Sequence, residues 1–538
     1  MSPLAGSLDG GVGPLVSGVL GPNGGAPVVV ATVAAVLALG PAGLRWLRVA
    51  QREHYLAGSV SRFALRWWVA RPVNLALAVL ALAGLAFTPT FPLCALAPAG
   101  VAVVGPAGLG LRGRTSPLVA TRRLRSLAAV WLVLEAAVVA VGVAVGGAAA
   151  FAAAGLLAAP VLLDLACAVM APVERRLARR YVRSATARLQ RVAPTVVAIT
   201  GSYGKTSTKH HVAHLVGGAR RTLATPASFN NRAGLARAIN EHLDDGVEVF
   251  VAEMGTYGPG EIRALCRWCP PAISVITAIG PVHLERFGSE EAIVTAKSEI
   301  TEPASTVVLN VDDPRLAALA DRLAARRPQT RVIRCSTATG PVDVAVVEDE
   351  GDGRTVSVRL GGRLAAENVP LAAGVQPGNV ACAVAVGLAL DVPAAVLLER
   401  LPTLAEVPNR LSAGPAPSGV YVLDDTFNSN PAGARAALGA LGGAPGDGRR
   451  VVVTPGMIEL GRRQAGENES LARDAAKVAD QLVVVGRTNR RALLAGAAAG
   501  GLAAIAVGTR PEAVEWVRAH LGPGDAVLYE NDLPDHYP

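Results

Sequence analysis

The sequence predicts an α-helical membrane region followed by an α/β half, the latter built from a central P-loop ATPase domain and a Rossmann-like C-terminal domain. Three observations lead there. Residues 1–172 carry five apolar segments whose arginines keep to alternate connections. A β-branched run, Thr195–Thr200, leads directly into GSYGKTSTK, and from there short Val/Ile-rich strands alternate with Ala-rich helices.

At 538 residues the chain has room for three or four domains, and 51% hydrophobic against 17% charged residues is rich for a wholly soluble protein. The net charge of +9 is unevenly placed: residues 1–172 hold 11 arginines, no lysine and only 4 acids (Asp9, Glu53, Glu135, Asp164). The high pI of 9.6 thus points to arginines flanking a membrane, and no nucleic-acid partner is expected. Six cysteines are too few for a disulfide framework. The pair Cys266 and Cys269 has the spacing of half a zinc site but lacks a second pair, which favours a structural role.

The five apolar segments are Val28–Leu44, Pro72–Phe87, Phe91–Leu111, Leu127–Val145 and Ala148–Met170. Each has about the length needed to cross a bilayer, roughly 17–25 residues, with the first two at the short end. Arg45, Arg48, Arg52, Arg62, Arg66 and Arg71 lie between the first and second, and Arg112, Arg114, Arg122, Arg123 and Arg125 between the third and fourth. The other connections and residues 1–27 have no basic side chain. By the positive-inside rule the N-terminus lies outside and everything after Met170 is cytoplasmic, making this a multi-pass protein of the cell membrane. Glu135 and Asp164 fall inside predicted spans, about 9–12 Å from the cytoplasmic ends at roughly 1.5 Å per residue. They are expected either to share a polar site at one depth or to stand as separate snorkelling or protonated acids. From Val173 a basic amphipathic helix, with Arg175, Arg176, Arg179, Arg180 and Arg183, is expected along the inner leaflet.

Strand, glycine turn and helix N-terminus together make an anion site, because glycines let backbone N–H groups reach phosphates and the helix dipole favours negative charge. The loop is short: Ile199 stands where the usual P-loop has its first glycine, leaving Gly201 and Gly204 in a GxxGKT spacing. The nucleotide is expected on Gly201, Ser202, Gly204, Lys205, Thr206 and Ser207, with Lys205 on the terminal phosphates and the Thr206 hydroxyl on Mg²⁺. Lysine usage sharpens this. Of 51 basic residues only Lys205, Lys209, Lys297 and Lys477 are lysines, so each is a candidate for chemistry that a guanidinium cannot perform.

Eight strings in order then resemble the Mur ligase family, most closely its D-alanyl-D-alanine-adding branch. They are ITGSYGKTSTK, TPASFNNRAGLARAIN, AEMGTYGPGEI, ITAIGPVHLERFGSEEAIVTAKSEI, LNVDDP, NRL, DDTFNSNP and MIELG, spread over roughly residues 193–530. The resemblance implies ATP with two Mg²⁺ ions, Glu253 and His283 as metal contacts, and a carbamylated lysine at Lys297 as a further metal ligand. It also implies Asn310 near the adenine, and Arg410, Asp425, Phe427, Asn428 and Asn430 closing over the nucleotide. The implied reaction joins a carboxylate to an amine through an acyl phosphate.

The domains expected are 1–27 outside the membrane, 28–172 within it, a linker helix at 173–192, the ATPase domain at 193–402 and the C-terminal domain at 403–538. The membrane half stands where soluble members of the family bind a uridine nucleotide. GVQPGN (374–379) lacks the family's His-Asn pair, Pro455-Gly456 replaces a common Gly-Asp, and the chain ends LYENDLPDHYP without a KGSR loop. The ATP chemistry therefore reads as intact and the substrate recognition as altered. The acceptor is expected to be a carboxylate of peptidoglycan-precursor type, and the donor an amino acid or dipeptide amine. A ligase of another amino-acid or poly-amino-acid pathway, and a non-catalytic ATP-binding scaffold, are the alternatives.

Overall fold

The computed structural model describes residues 25–532 apart from 70, 112–117, 257, 283, 351–354, 373, 406–410, 427 and 428. The chain divides into two compact units, one ending at Leu177 and the other running from Ala178 to Asp532.

The first unit is helical. Three helices are long and apolar enough to cross a membrane: Ala26–Arg52, Arg122–Ala144 and Ala148–Val192. At about 1.5 Å per residue each exceeds the roughly 30 Å of hydrocarbon. The second and third expected spans differ from this. Pro72–Phe87 is a 16-residue helix bent by 110° from Ser59–Val69, and the third segment is a shorter apolar helix, Pro92–Val104. The two short helices pack closely, since a Cβ on Gly84 would lie 2.8 Å from Ala97, Pro98 and the Cys94 carbonyl.

Helices that stop inside an apolar region leave backbone groups in need of partners, and buried polar side chains supply them. The Arg45 guanidinium donates to the carbonyls of Ala102 (2.8 Å), Val103 (3.0 Å) and Leu109 (3.1 Å). The Asp164 carboxylate accepts the N–H groups of Val60 (3.1 Å) and Ser61 (2.9 Å) at the start of Ser59–Val69. Asn74 bridges the Trp67 carbonyl and the Ala107 N–H. Glu135 lies elsewhere. Its Oε2 is 2.7 Å from where a Cβ on Gly155 would stand, and Asp164 is nine residues farther along that helix, about 13 Å. The two acids therefore do not share one depth.

The second unit holds two sheets. The larger has the order β2-β3-β1-β4-β5-β6-β7-β8-β9. Its strands are β1 (Thr195–Thr200), β2 (Thr222–Ala224), β3 (Val249–Glu253), β4 (Ile273–Ile276), β5 (Thr306–Asn310), β6 (Arg331–Ser336), β7 (Val344–Glu348), β8 (Thr355–Leu360) and β9 (Arg363–Pro370). Strands β2 to β7 run parallel, and β8 and β9 continue antiparallel. β7 and β8 pair antiparallel, and the segment joining them at 351–354 lies outside the described residues. Central β1 and β3 are almost wholly buried, as a parallel sheet covered on both faces requires.

The smaller sheet, β10-β11-β15-β12-β13-β14, is parallel except for β10. It comprises β10 (Ser412–Pro415), β11 (Tyr421–Asp425), β12 (Arg450–Thr454), β13 (Gln481–Val485), β14 (Ala503–Val507) and β15 (Ala526–Glu530). The amphipathic stretch after Val173 finds its partner in part on the larger sheet. Val182, Ala185 and Leu189 are buried with Val196, Leu235 and Ile239, and Arg188 donates to the carbonyls of Leu243 and Asn240. That apolar face is covered by the α/β core.

Candidate active site

The site begins where β1 ends. A Cβ on Gly201 would stand 2.0 Å from Thr277 Oγ1, and one on Gly204, at φ +76°, 2.1 Å from Asn379 Oδ1. Both positions exclude any side chain, so the loop stays tight against its neighbours. Ser202 pins it to the next loop, accepting the Gly280 N–H (2.9 Å) and donating to the Gly280 carbonyl (3.1 Å). Helix Lys205–Val216 follows, so its N-terminus, the positive end of the helix dipole, opens at the loop.

Two lysines far apart in sequence converge on one atom. Lys205 Nζ donates to the Gly201 carbonyl at 2.8 Å, and Lys297 Nζ donates to the same oxygen at 3.0 Å. Lys297 comes from helix Glu290–Ser298, whose N-terminus is capped by Ser289. Burial, reinforced by the Lys205 charge, holds the Lys297 amine well below its ordinary range. A neutral amine is the form that reacts with carbon dioxide.

Beside them lies Glu253, buried at the end of β3. Thr206 Oγ1 donates to its Oε2 at 3.0 Å, Lys209 Nζ lies 3.4 Å from the same oxygen, and Asn230 Nδ2 donates to Oε1 at 3.1 Å. A hydroxyl, a carboxylate and a phosphate-facing loop form a hard oxygen donor set that suits Mg²⁺. The donor chemistry fits the implied metal.

Asn310 ends β5. Its Oδ1 accepts the Asp312 N–H at 3.2 Å, and its Nδ2 is 3.1 Å from where a Cβ on Gly378 would be. Ser207 is half-buried in the first helical turn. In the C-terminal part, Asp425 and Glu530 are register partners at the carboxyl ends of β11 and β15. Asp425 accepts the Leu411 N–H at 3.2 Å. Asn430 caps helix Pro431–Gly442 through the N–H groups of Ala432 and Gly433, a structural use of a residue expected over the nucleotide. Burial next to Asp425 holds the Glu530 carboxyl well above the usual range. Gly456, one of the noted departures, has φ +79° and approaches Asn468 so closely that a Cβ would lie 2.3 Å from its Oδ1. His283, Arg410, Phe427 and Asn428 lie outside the described residues.

Other residues were not singled out by the sequence. Asn379 accepts from Thr208 at 3.2 Å, and Thr277 donates to the Tyr203 carbonyl. The central and C-terminal parts meet through Glu290, which pairs with both Arg315 and Arg463, and through the Leu284 N–H on the Glu459 carbonyl at 2.9 Å. Cys266 and Cys269 are buried, with Cys266 Sγ 3.9 Å from Met254 Sδ. No metal-binding group of three or more His, Cys, Asp or Glu side chains occurs among the described residues.

Residues 199–387 match the Mur ligase middle domain, and residues 409–529 the domain described as Mur ligase, glutamate ligase domain. The UDP-N-acetylmuramoyl-tripeptide--D-alanyl-D-alanine ligase of Mycobacterium leprae is 33% identical over 376 residues, covering 62% of this chain and 70% of that relative. The chain belongs to the Mur ligase family. Among solved Mur ligases, MurF from Acinetobacter baumannii superposes with a TM-score of 0.57 at 25% identity, covering 66% of this chain and 77% of that one. MurF from Thermotoga maritima, solved in complex with ADP, gives 0.56 at 26% identity, covering 66% and 80%. As a Mur ligase the chain is set apart by its apolar helical N-terminal unit, which precedes both matched segments.

Proposed function

We propose that this Mur ligase is a membrane-anchored, ADP-forming ligase of peptidoglycan-precursor synthesis that joins an acceptor carboxylate to an amine. The observation carrying the reading is the convergence of Lys205 and Lys297 on the Gly201 carbonyl, beside Glu253 and Thr206. The ligase activity for which the Mycobacterium leprae relative is named and the ADP complex of the Thermotoga maritima ligase support it.

The acceptor carboxylate attacks the γ-phosphorus of ATP and ADP leaves, giving an acyl phosphate. The amine then attacks the acyl carbon, loses a proton, and phosphate leaves. Lys205 and the N–H groups at the start of Lys205–Val216 neutralise charge growing on the phosphates. Thr206 and Glu253 would hold Mg²⁺, and a Lys297 carbamate, formed from its neutral amine and CO₂ with loss of a proton, would serve a second ion. Bound metal supplies charge neutralisation at the phosphoryl group. The C-terminal part, tied down through Glu290 and Arg463, excludes water from the intermediate. The acceptor is presented at the inner leaflet, on the cytoplasmic side.

The test is ADP release by the purified full-length chain in detergent, with UDP-linked tripeptide or its lipid-linked counterpart as acceptor and D-alanyl-D-alanine as donor. Release that needs acceptor and amine together, with hydroxylamine trapping the acyl phosphate when the amine is withheld, is expected. Release driven only by other amines or acceptors would move the enzyme to another pathway, and none under any condition would leave an ATP-binding scaffold.

A further inference from the structure

Of the chain's four lysines, Lys477 is exposed beside Asp474, and Lys205 and Lys297 meet at Gly201. Lys209 has no part in the reaction described above, yet it is fully buried. It stands one helical turn after Lys205, and its Nζ donates to the Ala227 carbonyl while lying 3.4 Å from Glu253 Oε2.

We infer that Lys209 is a positioning residue, which fixes Glu253 for metal binding by tying it to the loop at Thr225–Asn231. Three features of the geometry point this way. Both partners of the Lys209–Glu253 pair are almost fully buried, at 0% and 1% side-chain exposure. A buried ion pair is a poor source of stability compared with apolar packing, so its retention calls for a positional reason. Next, Ala227 holds a left-handed backbone at φ +43°, which is costly for a residue with a Cβ, and the Lys209 ammonium binds that residue's carbonyl. Finally, the same loop contacts Glu253 twice: Thr225 Oγ1 accepts its main-chain N–H at 3.2 Å, and Asn230 donates to its carboxylate Oε1. The ammonium thus holds the Glu253 carboxylate with Thr206 on one side and the loop on the other. A compact point donor with rotatable N–H groups serves two acceptors in this way.

The inference rests on the ligase reading and is tested by binding. ADP affinity of the full-length chain in detergent is measured with Mg²⁺ and with EDTA, for the wild type, Lys209→Met, Lys209→Gln, Glu253→Gln and the Lys209→Met/Glu253→Gln pair. Each Lys209 variant should lose about tenfold of the Mg²⁺-promoted gain while keeping its metal-free affinity, and Lys209→Met should add nothing once Glu253 is changed. Losses that multiply in the double variant, or an unchanged Mg²⁺ gain with a lowered melting midpoint, would overturn it. So would failure of both Lys209 variants to fold, which would make Lys209 purely structural. A wild-type chain whose ADP binding ignores Mg²⁺ overturns the ligase reading as well, and that result needs no variant.

Discussion

Gly204 shows how little slack the phosphate loop has. With φ +76° and Asn379 Oδ1 2.1 Å from the position of a Cβ, Gly204→Ala should shift the loop off its N–H alignment. A loss of ADP affinity of about tenfold or more is expected by titration. Wild-type affinity would mean that the loop binds no phosphate. His211, on the same helix, gives a pH signature. It is buried with its Nε2 unpartnered, and burial, with smaller contributions from His210 and His214, holds its imidazole down to about 4. The unfolded chain takes up that proton near pH 6.5. Stability is therefore complete above pH 6.5 and lost as pH falls toward 4, by at most about 3 kcal/mol. His211→Met should flatten the melting midpoint over that interval, and parallel curves would contradict the assignment. Lysine scarcity made three site-facing residues legible, because the chain spends lysine where a point charge or a nucleophilic amine is needed. Asn379 and Thr277 were not legible, since ordinary polar residues acquire meaning only when tertiary structure brings them against Gly204 and Gly201.

At the scale of elements, β1 and its loop were readable because a buried parallel strand is a continuous β-branched run and the turn has fixed glycine chemistry. The membrane segments were readable as apolar but not as crossings. Pro72–Phe87 and Pro92–Val104 are short, and what distinguishes a hairpin from two spans is the packing at Gly84 and the caps supplied by Arg45 and Asn74. The arginine pattern survives this difference. If the two short helices enter and return on one side, three crossings still leave the N-terminus outside and the arginine-rich connections inside. Reporter fusions truncated after residues 54 and 120 should both report the cytoplasmic side, and one after residue 146 the outer side. A fusion after residue 89, between the two short helices, decides between the readings: a cytoplasmic report is expected, and an outer one would refute the hairpin, since two spans also leave 54 and 120 on one side. Arg45→Met should also lower the melting midpoint in detergent, because it strips donors from three carbonyls at about 1–3 kcal/mol each. An unchanged midpoint would show that those carbonyls find other partners.

For the whole molecule, the division at Leu177 and Ala178 separates the apolar helical unit from the two sheets. A fragment beginning at Ala178 contains both sheets and every described site residue, so it should bind Mg²⁺·ADP in the absence of detergent and leave the membrane fraction. Loss of nucleotide binding on removal of the helices would show that the apolar unit contributes to the site itself. The family was legible from motif order across both sheets, whereas the role of the first unit was not, because apolar helices carry little sequence-specific chemistry. The central proposition is that Lys297 works as a carbamate beside the Lys205 loop. Its most direct test is ¹³C NMR of the full-length chain in ¹³C-bicarbonate, run alongside amine-dependent ADP release. A carbamate resonance that disappears in Lys297→Arg, together with loss of turnover by about a hundredfold or more, is the predicted result. Full turnover by Lys297→Arg, or an identical resonance in both proteins, would contradict it.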